Sequence, residues 1–98
     1  NKLDESRDLA EIVQANLVAR LRKTESELPD RGVKQAPLVV LIGASMPSVL
    51  AEIAFVTNRQ EGRLLKSTNY RQKIAEALLA GILRYQQSLK KVQTAALN

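Results

Sequence analysis

Two apolar runs near the middle of the chain set the strongest limit on its fold. Leu38-Val39-Val40-Leu41-Ile42 is apolar at every position, and Val49 to Val56 is interrupted only by Glu52. A period of two puts Val49, Ala51, Ile53 and Phe55 on one face, and Leu50, Glu52, Ala54 and Val56 on the other. Strands apolar on both faces require cover above and below and neighbours at their sides, and a two-stranded sheet is marginal even with one face satisfied. The expected class is therefore α/β, with strands at about 38–42 and 49–56 in a larger sheet whose other strands lie upstream of Asn1.

Helices frame these runs. Leu9, Ile12, Val13, Leu17 and Leu21 recur at intervals of three and four, which predicts an amphipathic helix over about 3–22. Asp4 and Glu5 suit the positive end of its dipole, and Arg20, Arg22 and Lys23 the negative end. Leu28-Pro29-Asp30-Arg31-Gly32 carries turn chemistry. Asn58 reads as an N-cap with Glu61 in the capping-box position, opening a short helix over 58–66. Ser67 can cap a final helix over about 68–90, with Tyr70, Ile74, Leu78, Ile82, Tyr85 and Leu89 as its apolar stripe. Gly81, on or near that stripe, implies close packing against another backbone. Residues 92–98 lack capping signals and are expected to form a flexible tail after a domain portion spanning 1–91.

Two absences narrow the chemistry. With no histidine and no cysteine among 98 residues, the chain completes neither a Ser-His-Asp triad nor a His- or Cys-ligated metal site. Gly43-Ala44-Ser45-Met46-Pro47 fails as a nucleophile elbow, since Pro47 stands where the second glycine belongs. No phosphate-binding glycine pattern occurs. No apolar run approaches the roughly 20 residues of a transmembrane segment, and no signal peptide is visible. A start at Asn1 rather than a methionine is expected of an excised or processed piece.

Glu52 is the sharpest chemical feature. A carboxylate inside an apolar strand costs several kcal/mol unless it is paired, hydrogen-bonded or beside a metal. It reads either as a general base, with burial tuning its acidity, or as half of a structural ion pair with Arg31 or Lys34, or as a strand end meeting solvent. The net charge of +5 lies wholly in residues 36–98, where eight basic residues face three acidic ones. Arg59, Arg63 and Lys66 share a helical face there, with Arg71 and Lys73 just beyond. A solvated face explains them more simply than a nucleic-acid patch, because the stacking aromatics such a patch uses are scarce.

Asp30-Arg31-Gly32-Val33-Lys34-Gln35-Ala36, Val39-Val40-Leu41 and Met46-Pro47-Ser48-Val49-Leu50-Ala51-Glu52-Ile53-Ala54-Phe55-Val56-Thr57-Asn58 together resemble the C-terminal half of the zinc-dependent N-acetylmuramoyl-L-alanine amidases of the Amidase_3 type. Ser6-Arg7-Asp8-Leu9-Ala10, Tyr70 to Ala77 and Gly81-Ile82 extend the likeness over roughly residues 3–86. The resemblance implies a twisted mixed sheet of about six strands flanked by helices. It implies hydrolysis of the amide between the lactyl group of N-acetylmuramic acid and the L-alanine of the peptidoglycan stem peptide. It also implies one Zn2+ held by His, Glu and His from an upstream half, with no metal ligand in this chain. Glu52 is the position it carries over as the catalytic acid and base. Arg31, Lys34 and Asn58 fit the family pattern as structural or substrate-rim positions. Ala54 departs from the usual glycine, and Val56-Thr57 from the usual Ile-Ser. The implied location is the periplasm, the cell envelope or outside the cell, with peptidoglycan as partner, no nucleic acid, and any activator protein unidentified. The isolated chain is expected to be inactive. The alternative is a non-catalytic basic module that binds anionic wall polymer or nucleic acid.

Overall fold

The computed structural model describes residues 2–97. Three helices follow in order: α1 at Lys2–Leu21, α2 at Arg59–Lys66 and α3 at Thr68–Leu97. A long irregular stretch joins α1 to α2.

Local chemistry sets the helix ends. Asp4 and Glu5 occupy the first turn of α1 and Arg20 the last, matching the dipole. Past Leu21 the chain wraps back, with the Thr24 and Glu25 amides donating to the Leu21 carbonyl at 3.2 and 2.8 Å. Asn58 caps α2, its side-chain oxygen accepting the Glu61 amide at 3.0 Å. Ser67 serves two helices at once. Its amide donates to the Leu64 carbonyl at 3.0 Å to close α2, and its hydroxyl accepts the Tyr70 amide at 3.2 Å to open α3. The helix then runs through Val92 and on to Leu97, across residues expected to follow it. At about 1.5 Å per residue such a helix is about 45 Å long, and it accounts for most of the 50 Å length of the molecule.

α1 and α3 pack as an antiparallel pair. Leu21 clusters with Tyr70 and Ile74, Val13 meets Gly81, and Glu5 and Asp8 lie near Tyr85. The expected stripe on α3 is thereby rotated. The buried positions are Tyr70, Ile74, Ala77, Gly81 and Tyr85, while Ile82 and Leu89 stay exposed. Small residues at 77 and 81 let the two backbones approach, so the contact face centres on them rather than on the larger side chains beside them. Leu17, Leu28, Ile53, Leu64, Leu65 and Leu78 pack around the Leu21–Tyr70–Ile74 cluster.

The expected α/β class is overturned: among the described residues there is no strand and no sheet. Leu38–Ile42 instead forms a turn, with the Leu41 and Ile42 amides donating to the Leu38 carbonyl at 2.9 and 3.1 Å. Residues 49–55 have no regular structure. A strand satisfies its amides and carbonyls only through a neighbour in register, and neither run pairs with the other. Without that ladder, the first run closes its hydrogen bonds locally. Its side chains are left in the open, with Val39 87% and Val40 71% exposed. The accessible surface is correspondingly large, 7620 Å², against about 5,500 Å² for a compact monomer of this mass.

Candidate functional site

The segment bearing Glu52 is held to the helices at separated points. The Ser48 amide donates to the Ser6 hydroxyl of α1 at 3.0 Å. Ile53 then packs on the Leu21–Tyr70–Ile74 cluster. Beyond it, the Phe55 amide donates to Glu61 Oε2 at 3.2 Å, and the Asn58 amide to the Phe55 carbonyl at 3.0 Å. Glu52 itself is exposed, one residue before Ile53 turns towards the core. The expected burial of Glu52 between apolar neighbours is absent within this chain, because burial required the sheet that does not form.

Neither suggested ion pair of Glu52 occurs. Arg31 Nη1 donates instead to Glu61 Oε1 at 3.1 Å, and Lys34 is exposed without an ion pair among the described residues. Among the described residues Glu61 is the buried carboxylate, 9% exposed, and it sits in the first turn of α2 where the helix dipole favours negative charge. The reciprocal arm of the capping box is displaced: the Glu61 side chain takes the amide of Phe55 rather than that of Asn58. Above this junction the Arg31 guanidinium lies 4.8 Å from the centre of the Phe55 ring. The sequence gives one signal for the arrangement, the Asn58–Glu61 spacing. The partnership with Arg31, thirty positions earlier, has no local signature.

The turn carrying Arg31 is itself pinned. Asp30 Oδ1 accepts the Gly32 amide at 2.9 Å and the Gln14 side-chain amide at 2.8 Å. These hydrogen bonds, first that from Gln14 and then that from Gly32, with Arg22 nearby, hold the Asp30 carboxyl below its usual range. Gly32 stands at φ +75, which glycine adopts without strain. Arg22 Nε donates to the Leu28 carbonyl at 2.9 Å and ties the same turn to the end of α1.

A cleft of about 130 Å³ opens beside this junction, lined by Glu27, Arg31, Asn58, Gln60 and Glu61 among others; Glu52 is not part of it. Arg59, Arg63 and Lys66 form an exposed basic face on α2. Tyr70 and Tyr85 are buried in the helix interface, so they offer no stacking platform beside that face. No group of three His, Cys, Asp or Glu side chains gathers among the described residues in a way that could hold a metal ion. The residues present therefore do not fit a zinc site, in keeping with a chain that has neither histidine nor cysteine. No helix among the described residues is long and apolar enough to cross a membrane.

The N-acetylmuramoyl-L-alanine amidase family model, Amidase_3, matches residues 1–84. The chain belongs to that family. It is 46% identical over 83 residues to an uncharacterized cell wall amidase of Bacillus anthracis, covering 85% of this chain and 15% of that protein. With the N-acetylmuramoyl-L-alanine amidase AmiA of Salmonella typhimurium it shares 51% identity over 59 residues, 60% of this chain and 20% of that one. With the amidase LytC of Bacillus subtilis it shares 41% over 80 residues, 82% of this chain and 15% of LytC. The chain thus spans a small part of the length of these relatives. No solved structure matches it.

Proposed function

We propose that this chain is part of the catalytic unit of a peptidoglycan amidase, one that cleaves the bond between the lactyl group of N-acetylmuramic acid and the L-alanine of the stem peptide. The observation that carries the reading is the family match over residues 1–84, which takes in the whole segment from Ser48 to Asn58. Relatives named as N-acetylmuramoyl-L-alanine amidases, from Salmonella typhimurium and Bacillus subtilis, support it.

In this reading Glu52 is the general base and acid. As a carboxylate it takes a proton from the attacking water; as a carboxylic acid it returns that proton to the departing amine of L-alanine. An amine expelled from a tetrahedral intermediate is a poor leaving group until protonated, so one group that performs both transfers suits the reaction. Full activity requires Zn2+, with every ligand supplied by residues outside this chain. The enzyme acts on the wall beyond the cytoplasmic membrane, in the periplasm, at the envelope or after secretion.

The test is the identity of the bond cut. Purified peptidoglycan treated with the full-length protein should release stem peptides with new L-alanine amino termini, and a metal chelator should stop their release. New reducing sugar ends without free L-alanine would point to glycan cleavage and overturn the reading.

A further inference from the structure

Three features converge on Phe55. Its amide donates to Glu61 Oε2 at 3.2 Å, the other oxygen of that carboxylate accepts Arg31 Nη1 at 3.1 Å, and the Arg31 guanidinium covers the Phe55 ring at 4.8 Å. One carboxylate and one guanidinium, thirty residues apart in sequence, thus grip the backbone and the side chain of the same residue. Phe55 lies three positions after Glu52.

The grip matters because little else holds this segment. Among the described residues no strand ladder fixes 49–55, and the other ties are the Ser48–Ser6 hydrogen bond before Glu52 and, after it, the packing of Ile53 and the hydrogen bond from the Asn58 amide to the Phe55 carbonyl. Ionic pairing is also an expensive way to gain stability. Taking a carboxylate out of water is costly, and apolar residues of similar size often serve stability as well or better. What this grip supplies that an apolar contact does not is direction: the hydrogen bond from the Phe55 amide constrains both distance and angle, and the guanidinium keeps to the face of the ring. The Asn58 cap adds to this by holding Glu61 at its amide, so the carboxylate projects from a fixed helix start.

We infer that Arg31 and Glu61 are positioning residues for Glu52, locking Phe55 so that the carboxylate three residues earlier meets its substrate at a fixed place. The inference rests on the reading of Glu52 as the catalytic acid and base. Displacing a reacting group by about 1 Å costs on the order of 100-fold in rate, so a loosened grip should appear in kcat.

The experiment uses the full-length protein and a soluble muramoyl peptide, measuring kcat and KM for Arg31→Ala, Arg31→Lys and Glu61→Gln, each with Glu52 intact and with Glu52→Gln. With Glu52 intact, kcat should fall about 10- to 100-fold while KM stays within about threefold. Arg31→Lys keeps the charge but not the planar fork, so its fall should be the smaller of the two Arg31 variants; it carries the test alone if Arg31→Ala does not fold. In the Glu52→Gln background the same changes should produce no further fall. Unchanged kcat in folded Arg31→Lys and Glu61→Gln variants would overturn the inference, as would an equal fall in both backgrounds. A Glu52→Gln protein of full activity would instead remove the acid and base assignment on which the inference stands. The two failures are therefore distinct.

Discussion

Gly81 of α3 and Val13 of α1 meet so closely that a Cβ placed on Gly81 would lie 3.0 Å from the Val13 Cα and 3.2 Å from its Cγ2. Backbone cannot swing aside as a side chain does. In an exposed helix interior Gly→Ala gains up to about 1 kcal/mol of helix propensity. Here Gly81→Ala should instead destabilise by about 1–3 kcal/mol, because overpacking forces the helices apart. Chemical denaturation of the two proteins measures the sign. A stabilised Gly81→Ala protein would show that α1 and α3 are not packed at this point.

Ser67 ends one helix and begins the next, so its hydroxyl should be worth more than its exposure suggests. Ser67→Ala removes the acceptor for the Tyr70 amide and should cost about 0.5–2 kcal/mol, whereas Ser67→Gly should cost only a few tenths. Thermal melts of the three proteins give the order. A Ser67→Ala protein as stable as the parent would mean that the hydroxyl caps nothing.

The buried tyrosines give the fold an alkaline limit. Burial, with lesser contributions from Glu25 and Glu61, raises Tyr70 above its usual value of 10.0, and burial with Glu5 and Asp8 nearby raises Tyr85. A raised value means that the folded state holds the phenolic proton more tightly than the unfolded state. This contribution is complete below the unfolded value of about 10 and is lost as pH rises through the folded values. Denaturation midpoints should therefore decline above about pH 10, and Tyr70→Phe and Tyr85→Phe should each flatten the decline. Asp30 works in the opposite sense. Its lowered value stabilises the 28–32 turn above the ordinary carboxylate range, and that support disappears as pH falls through its folded value.

The helices were readable because their signals are local. The Asn58 cap, the Ser67 cap of α3 and the charged ends of α1 depend on residues within a turn of each other, and Gly81 betrays a close approach by lacking a side chain. The middle of the chain was not readable in that way. Apolar runs such as Leu38–Ile42 state a preference for burial, but a strand exists only with a partner strand, and the partner is not encoded in the run itself. The same gap misplaced the buried carboxylate. Glu52 looked buried because its neighbours are apolar, whereas Glu61, in a helix whose other residues are mostly polar, is covered through Arg31 and Phe55. Contacts between distant segments decide burial, and spacing along one segment does not disclose them.

The most direct test of the account is the hydrolysis rate of the full-length protein with Glu52→Gln, measured on a muramoyl peptide at matched zinc content. Glutamine keeps the size and the hydrogen-bonding capacity of the side chain but cannot carry the proton. Loss of general acid and base catalysis predicts a fall in kcat of about 100- to 10,000-fold, with substrate affinity nearly unchanged. A Glu52→Gln protein that releases L-alanine-terminated peptides at close to the original rate would contradict the account.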